Sequence, residues 1–288
     1  MGLLNKKKSD GETWDTVITP ARSWLALGVA ETWRYRDLVM VLVNRDFVSV
    51  YKQTVLGPLW FIIQPLATTL VFVLLFGNIA HLPTAGTPPF LFYLSGIVMW
   101  NFFAANFSKT SDVFASNAAI FSKVYFPRLV VPVATIISNL LTFAIQFLLF
   151  YLFAAFLAGI SGATFLRAIL LTVPLLFYTS LLGLGVGIAV SALTTRFRDL
   201  VYLNAFVLQL WMYATPVIYP VSLLPARWKI ISILNPMAAP VETFRHIWLG
   251  TPAADPLLWE AGGAITAILL FLGLVLFSHT QRVAMDTV

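Results

Sequence analysis

The side chains that could do chemistry in this chain are few and do not cluster. There are 12 acidic residues, three histidines and no cysteine, so disulfides, thiolate metal sites and cysteine catalysis are excluded. The sequence contains no HExxH, GxSxG or CxxC motif and no GxxxxGKS or GxxxxGKT phosphate-binding loop. We therefore predict no catalytic residue, no metal site and no cofactor in this chain. Any energy for work against a gradient has to come from another chain.

The placement of the acidic residues disfavours two further classes of protein. Transporters driven by protons or sodium ions usually carry carboxylates inside the membrane, but the long apolar stretches of this chain contain none. Enzymes that handle nucleotide sugars need clustered acids, whereas Asp112 and Asp199 are isolated and lie close to basic residues. A secondary transporter and a membrane glycosyltransferase are both disfavoured.

The composition is that of a membrane protein. The chain has 288 residues, of which 59% are hydrophobic and 10% are charged, and its mean hydropathy is +0.87. About a quarter of the residues of a soluble domain are charged. Charged residues are absent from the stretches 53–108, 129–166, 168–195, 200–226 and 261–281.

These stretches predict an all-α integral membrane protein, because a transmembrane helix needs about 20 apolar residues. The first stretch holds two spans that are separated by 81–89, and each of the others holds one. Lys6, Lys7 and Lys8 are not followed by an apolar segment, so we expect no signal peptide. The six predicted spans are 57–78, 90–108, 131–158, 168–192, 200–219 and 260–278.

The distribution of basic residues predicts the orientation. An even number of spans places both termini on one face, and 14 Lys and Arg side chains then share that face while only Arg167, Arg227, Lys229 and Arg245 lie on the other. The positive-inside rule makes the richer face cytoplasmic. The net charge of +6 is explained by this bias, and we expect no nucleic-acid partner.

Two segments outside the spans have distinct patterns. Residues 31–52 alternate polar and apolar positions at helical spacing, which predicts an amphipathic helix at the cytoplasmic interface. It either anchors the chain in the membrane surface or docks a partner, and residues 1–30 precede it as a cytoplasmic tail. Residues 221–259 are apolar but cut by prolines, which predicts short helices at 226–233 and 238–248 in a re-entrant hairpin on the outer side.

Several motifs occur in a fixed order along the chain. They are YKQTVLGPLW (51–60), FSKVYFPR (121–128), RFRD (196–199), TPVIYP (215–220), NP (235–236) and VETFR (241–245). Together they resemble the permease subunit of type-2 ABC transporters, in the branch that exports O-antigen and related lipid-linked polysaccharides across the bacterial inner membrane. The resemblance extends over residues 31–288.

The resemblance implies an assembly and a set of contacts. Two permeases form the channel, and two copies of a cytoplasmic ATPase, which bind ATP and Mg²⁺, dock beneath it. The inner loop 109–128 corresponds to a coupling helix, and the helix 31–52 to a second docking surface. The implied ATPase-contact residues are Arg45, Asp112, Ser116, Asn117, Phe121, Lys123 and Arg128. The outer hairpin corresponds to gate helices, with Arg227, Lys229, Glu242 and Arg245 as gate residues.

Aromatic residues suggest a path for the polymer. Tyr93, Trp100, Phe103 and Phe107 follow three-four spacing along the second span, and sugar rings stack on aromatic faces. These side chains either line the substrate channel or serve as lipid-facing or helix-packing bulk. Gly183 and Gly187 form a GxxxG pattern, which indicates close helix packing.

The resemblance leaves the substrate open. The alternatives within transport are export of teichoic acid or capsule by the same architecture. The alternative from another class is a membrane-embedded lipid-sugar transferase.

Overall fold

The computed structural model describes residues 29–52, 57–121, 123–124, 126–159, 162–197 and 199–286, and every regular element in these ranges is helical. The predicted all-α fold class is therefore confirmed. The predicted tail 1–30 lies outside the described residues except for its last two. The helices are α1 (Val29–Arg34), α2 (Arg36–Lys52), α3 (Trp60–Phe72), α4 (Pro89–Ser111), α5 (Val113–Ser116), α6 (Ala118–Phe121), α7 (Val130–Ala158), α8 (Gly162–Arg196), α9 (Leu200–Ala214), α10 (Lys229–Leu234), α11 (Ala238–Leu249) and α12 (Pro256–Asp286).

Five of the described helices are long and apolar enough to cross a membrane. They are α3 with the π-helical turn that extends it to Ile79, and then α4, α7, α8 and α12, each of which overlaps one predicted span. The predicted span 200–219 contains α9, which has 15 residues. At 1.5 Å per residue such a helix is about 22 Å long, which is shorter than the hydrocarbon core of a bilayer.

The central helix of the protomer is α4. Every residue from 91 to 100 is buried, and α4 packs against α3, α7, α8, α9 and α11. A helix that is apolar all round and buried all round belongs to the interior of a bundle. Named after the predicted orientation, the outer end of α4 is its N-terminal end, which packs against α11. Its inner end is the C-terminal end, which continues into the short helices α5 and α6.

Glycines allow α8 to approach α4 closely. A Cβ atom added to Gly183 would lie 2.7 Å from Cβ of Asn106, and one added to Gly187 would collide with the side chain of Thr110. Thr110 in turn donates a hydrogen bond to the carbonyl oxygen of Gly183 at 3.3 Å. The packing role predicted for this GxxxG pattern is confirmed.

The amphipathic helix lies against the inner end of the bundle. It begins as α1, is interrupted at Tyr35, and continues as α2. Val39, Leu42 and Val43 are buried in one apolar cluster with the start of α7, whereas Arg45 on the other side of α2 is exposed. The predicted separation of an apolar from a polar face is therefore present.

A pair of glycine substitutions tests the helix packing. A Cβ atom added to Gly185 in α8 would lie 2.7 Å from the Cα atom of Leu270 in α12, whereas one added to Gly263 in α12 would meet nothing within 4 Å. We expect Gly185→Ala to lower the free energy of unfolding by about 1–3 kcal/mol through overpacking. Gly263→Ala should instead raise it by about 0.5–1 kcal/mol, because alanine is the better helix former. Thermal unfolding of both purified variants in detergent measures the two effects, and a stable Gly185→Ala protein would contradict the close approach.

Candidate functional site

The TPVIYP and NP motifs, on the predicted outer side, are brought together by one set of hydrogen bonds. Nε1 of Trp211, near the end of α9, donates to Oδ1 of Asn235 at 2.9 Å, and Nδ2 of Asn235 donates to Oγ1 of Thr215 at 2.9 Å. The hydroxyl of Thr215 donates to the carbonyl oxygen of Trp211 at 2.8 Å. The TPVIYP and NP motifs are thus parts of one structure, in which the end of α9 is closed against the start of α11.

Arg245, on α11, occupies the centre of this outer structure. Its side chain is 1% exposed. Nη1 donates to the carbonyl oxygen of Pro216 at 2.5 Å, and Nη2 donates to that of Val217 at 2.6 Å. Nε lies 3.3 Å from both the carbonyl oxygen of Phe92 and the hydroxyl of Ser95 in α4. One guanidinium therefore joins α11, α4 and the turn after α9.

The contact depends on a glycine and on an aromatic ring of α4. A Cβ atom on Gly96 would lie 2.6 Å from Nη2 of Arg245, so any other residue here would displace the guanidinium. The guanidinium carbon lies 3.7 Å from the centre of the Phe92 ring, which is a favourable cation–π distance. This explains why glycine stands at 96 within an otherwise bulky helix.

Glu242 is the acidic partner of Arg245, one helical turn away. Its Oε1 atom is 3.5 Å from Nη1 of Arg245 and 3.4 Å from the backbone nitrogen of Val221. Burial raises the pKa of Glu242, with Arg245 acting in the opposite direction. Burial also lowers the pKa of Arg245 to about 10. The carbonyl oxygens are thus the closer partners of Arg245, and the long ion pair is secondary.

The four predicted gate residues do not form one group. Glu242, Arg245 and Lys229 line a cavity of about 170 Å³ whose other walls include Phe92 and Leu258. Arg227 is exposed, with its guanidinium carbon 5.7 Å from the ring centre of Trp228. Within the described residues no group of three or more His, Cys, Asp or Glu side chains could hold a metal ion.

The part of the predicted coupling loop that follows α4, residues 112–128, is called the inner segment here, and its described residues form the two short helices α5 and α6. Its anchor is Arg128, whose guanidinium carbon lies 5.9 Å from the Phe114 ring centre and 5.4 Å from that of Phe121. Phe114 stacks on Phe277 of α12 at 4.7 Å, and Phe121 contacts Phe126 at 5.6 Å. Burial lowers the pKa of Arg128. The segment is therefore a packed unit joined to the last helix.

The predicted ATPase-contact residues divide into two groups by exposure. Arg45, Asp112, Ser116 and Lys123 are exposed. Asn117 is buried and donates to the carbonyl oxygen of Val113 at 3.1 Å, and Phe121 and Arg128 are half-buried in the stack. The first group is available to a partner, while the second stabilises the segment itself. Arg198 of the RFRD motif lies outside the described residues.

The aromatic stripe on α4 faces the interior of the protomer. Tyr93, Trp100, Phe103 and Phe107 are each at most 4% exposed. The ring centres of Phe103 and Trp211 are 4.9 Å apart, and those of Trp100 and Phe103 are 5.3 Å apart. Rings that are covered by neighbouring helices have no face free to stack on a polymer. Their position favours helix packing over the channel lining predicted from the sequence.

A polar group near the inner end of α4 was not predicted from the sequence. Nζ of Lys109 donates to Oδ1 of Asn139 in α7 at 2.9 Å, and Nδ2 of Asn139 donates to Oδ1 of Asn106 at 2.8 Å. The available signal was the presence of asparagines inside two spans, since amides in a membrane helix need partners.

The buried guanidinium gives a stability prediction. In Arg245→Met the carbonyl oxygens of Pro216 and Val217 would lose their donors in a buried site, and we expect a loss of about 3–5 kcal/mol. The exposed Arg227 offers the same substitution as a control, and Arg227→Met should change stability by less than about 0.5 kcal/mol. Thermal unfolding in detergent compares the two, and equal melting temperatures would contradict the role of Arg245.

The aromatic stripe gives a second prediction. Trp100→Ala should cost about 3–5 kcal/mol, because it leaves a cavity in a packed interior. The amount of protein in the membrane should therefore fall. Phe156 in α7 is 86% exposed, so Phe156→Ala should leave that amount unchanged. Quantitative blotting of membranes measures both variants, and a normal amount of the Trp100→Ala protein would refute the packing role.

Comparisons with known proteins agree with this architecture. Residues 37–249 match the family model described as ABC-2 type transporter. The O-antigen export system permease protein RfbA of Myxococcus xanthus is 28% identical over 259 residues, which cover 88% of this chain and 96% of that protein. A protein of the same name from Klebsiella pneumoniae is 28% identical over 74% of this chain and 80% of its own length.

A further relative comes from another transport system. The polysialic acid transport protein KpsM of Escherichia coli is 24% identical over 86% of this chain and 95% of its own length. The family model itself extends over more than half of the 288 residues, from the first turn of α2 to the end of α11. The chain belongs to the ABC-2 type transporter family.

Proposed function

We propose that this chain is the membrane-spanning subunit of an ATP-driven exporter that moves a lipid-linked polysaccharide, O-antigen in the first instance, across the bacterial inner membrane. The observation that carries the proposal is the similarity, over 88% and 74% of this chain, to two relatives named as O-antigen export permeases. The KpsM relative favours capsule export as the second candidate. The membrane-embedded lipid-sugar transferase finds no support, since the described acidic residues are not clustered.

In the proposed assembly two copies of this chain form the channel. Each contributes six spans, with α9 and the turn that follows it as the fifth, and both termini are cytoplasmic. The distribution of basic residues supports this orientation. The exposure of α9 supports its role in the channel. None of its residues is buried within the protomer, and Phe206 and Leu210 are more than half exposed.

Two copies of a separate ATPase, which bind ATP and Mg²⁺, dock on the inner segment and α2 in this proposal. Docking would involve the exposed residues Arg45, Asp112, Ser116 and Lys123. Asn117, Phe121 and Arg128 would hold the segment in shape. Since Phe114 stacks on Phe277, a push on the segment reaches α12 directly. This chain thus uses the energy of ATP mechanically and performs no chemistry.

At the outer side, we place the re-entrant hairpin formed by α10 and α11 over the exit of the channel. Arg245 and Glu242 tie α11 to α4, whereas Arg227 and Lys229 stay accessible on the hairpin. An opening of the exit would then move the hairpin together with the outer end of α4. The buried guanidinium supports this coupling, because its donors are shared between the two helices and the turn after α9.

The docking proposal predicts the effect of one exposed apolar residue. Val124 follows Lys123 in the inner segment and is 58% exposed, and its removal leaves the aromatic stack intact. Val124→Asp should weaken the association with the ATPase about tenfold or more, because it would bury an unpaired carboxylate in the interface. Co-purification of the co-expressed ATPase measures the association, and surface polysaccharide of the same cells measures export. We expect both to fall together.

The control for this experiment lies on the opposite face of the membrane. Ser222 is exposed in the outer segment, and Ser222→Asp introduces the same charge there without affecting ATPase association. Normal export by a Val124→Asp protein that no longer holds the ATPase would refute ATP-driven export. Undiminished association would refute docking on the inner segment.

A further inference from the structure

The polar group at the inner end of α4 holds a lysine in one position. Lys109 lies two residues before the end of α4 at Ser111. Its ammonium group donates to Oδ1 of Asn139 at 2.9 Å, and Asn139 is itself oriented by a 2.8 Å hydrogen bond from its Nδ2 to Oδ1 of Asn106. Asn106 and Asn139 are 0% and 2% exposed. Side chains from two helices thus fix the direction of one ammonium.

This arrangement exceeds what membrane orientation requires. A lysine that only obeys the positive-inside rule extends its flexible side chain to the water and needs no fixed partner. Lys123 is such a residue, exposed and outside the helices. Burying two carboxamides between apolar helices in order to hold Lys109 has a cost in desolvation. The hydrogen bonds within the group offset part of that cost.

The hydrogen-bonding groups left over in this site are donors. Oδ1 of Asn139 and Oδ1 of Asn106 both accept bonds within the group. Lysine has three N–H donors, one of which goes to Asn139, so the ammonium can still donate to a ligand. Nδ2 of Asn106 has no partner among the described residues but is fully buried, so it does not contact the ligand. A ligand that complements these donors must supply several acceptors and negative charge.

The charged side chains around Lys109 do not neutralise the site. Asp46 on α2 is the acidic group whose charge acts on Lys109. Its carboxylate is already paired with the guanidinium of Arg45, with Nη2 of Arg45 and Oδ1 of Asp46 2.8 Å apart. Lys109, Arg45 and Asp46 together therefore carry one net positive charge, and Asp46, shared between the two cations, compensates only one of them.

The depth of the site identifies the kind of anion. Lys109 is exposed at the surface of the protomer, next to the inner end of a membrane-spanning helix, where lipid headgroups lie. Phosphate groups at this boundary carry several acceptor oxygens and negative charge, and lysine is a common ligand for them. A water-soluble anion has no comparable reason to be recognised at this depth.

We propose that Lys109, oriented by Asn139 and Asn106, binds the phosphate group of a lipid at the inner face of the membrane. The phosphate belongs either to an ordinary phospholipid or to the lipid carrier of the exported polymer. The second source rests on the proposed function, because a polymer-exporting permease must receive a lipid-linked substrate from this face. The phosphate site itself does not depend on that function.

Native mass spectrometry of the purified full-length chain tests the site with three lipids: undecaprenyl diphosphate, phosphatidylglycerol and neutral undecaprenol. Lys109→Gln should weaken phosphate-lipid binding about tenfold, which corresponds to the loss of one charged contact. Lys109→Arg should retain binding, because the charge and the donors are kept. Asn139→Asp should weaken it as well, since the new carboxylate neutralises the ammonium. Arg167→Gln is the control, because it removes an exposed cation near the opposite end of a membrane-spanning helix, and it should bind like the unmodified chain.

The pattern across the lipids separates the two sources. Loss of undecaprenyl diphosphate alone supports the proposal with the carrier as ligand, and loss of both phosphate lipids supports it with an ordinary phospholipid as ligand. Unchanged binding in Lys109→Gln, or undecaprenol binding as strongly as its diphosphate, overturns the proposal. Thermal unfolding of each variant shows that binding was lost from a folded protein. Association with the ATPase is measured in parallel, so that a failure of the proposed function is recognised independently.

Discussion

The burial of one guanidinium constrains the outer half of this protein. Where the chain leaves α9, Pro216 and Val217 lie in a turn, and their carbonyl oxygens accept hydrogen bonds from Arg245. In an apolar environment each unsatisfied carbonyl is costly. Arg245 supplies the donors, and it can do so only because Gly96 leaves space for it and Phe92 covers it. The position of α11, the direction of α9 and the sequence of outer α4 all follow from this contact.

The same helix, α4, also organises the inner half. The middle of α4 is packed with aromatic side chains, and one side of it lies against the glycines of α8. Its inner end carries Lys109, just before the inner segment begins. A protein that transmits movement between the two membrane faces needs an element that contacts both. The buried helix α4 meets this requirement better than α3 or α9, which are largely exposed in the protomer.

Which features could be predicted from the sequence depended on the range of the interactions. The GxxxG packing at Gly183 and Gly187 and the two faces of α2 were predictable, because each depends on residues a few positions apart. The hydrogen bonds that join Trp211, Thr215 and Asn235 were not, because they bring distant motifs together. The interior position of Trp100 and Phe103 was also not predictable, since helical spacing shows that residues share a face but not what that face contacts.

The sequence by itself determined that the chain is an all-helical membrane protein, where its long helices run, and which family it resembles. These properties are local, because a membrane helix forms all its backbone hydrogen bonds within its own segment. A stretch of about twenty apolar residues therefore predicts such a helix without reference to the rest of the chain. Only the tertiary structure decided which side of each helix is covered, and that Arg245 and Lys109 are held by distant partners. The physical reason is that lipid and protein interior are equally apolar. Hydropathy therefore cannot distinguish a side chain that faces lipid from one that faces another helix.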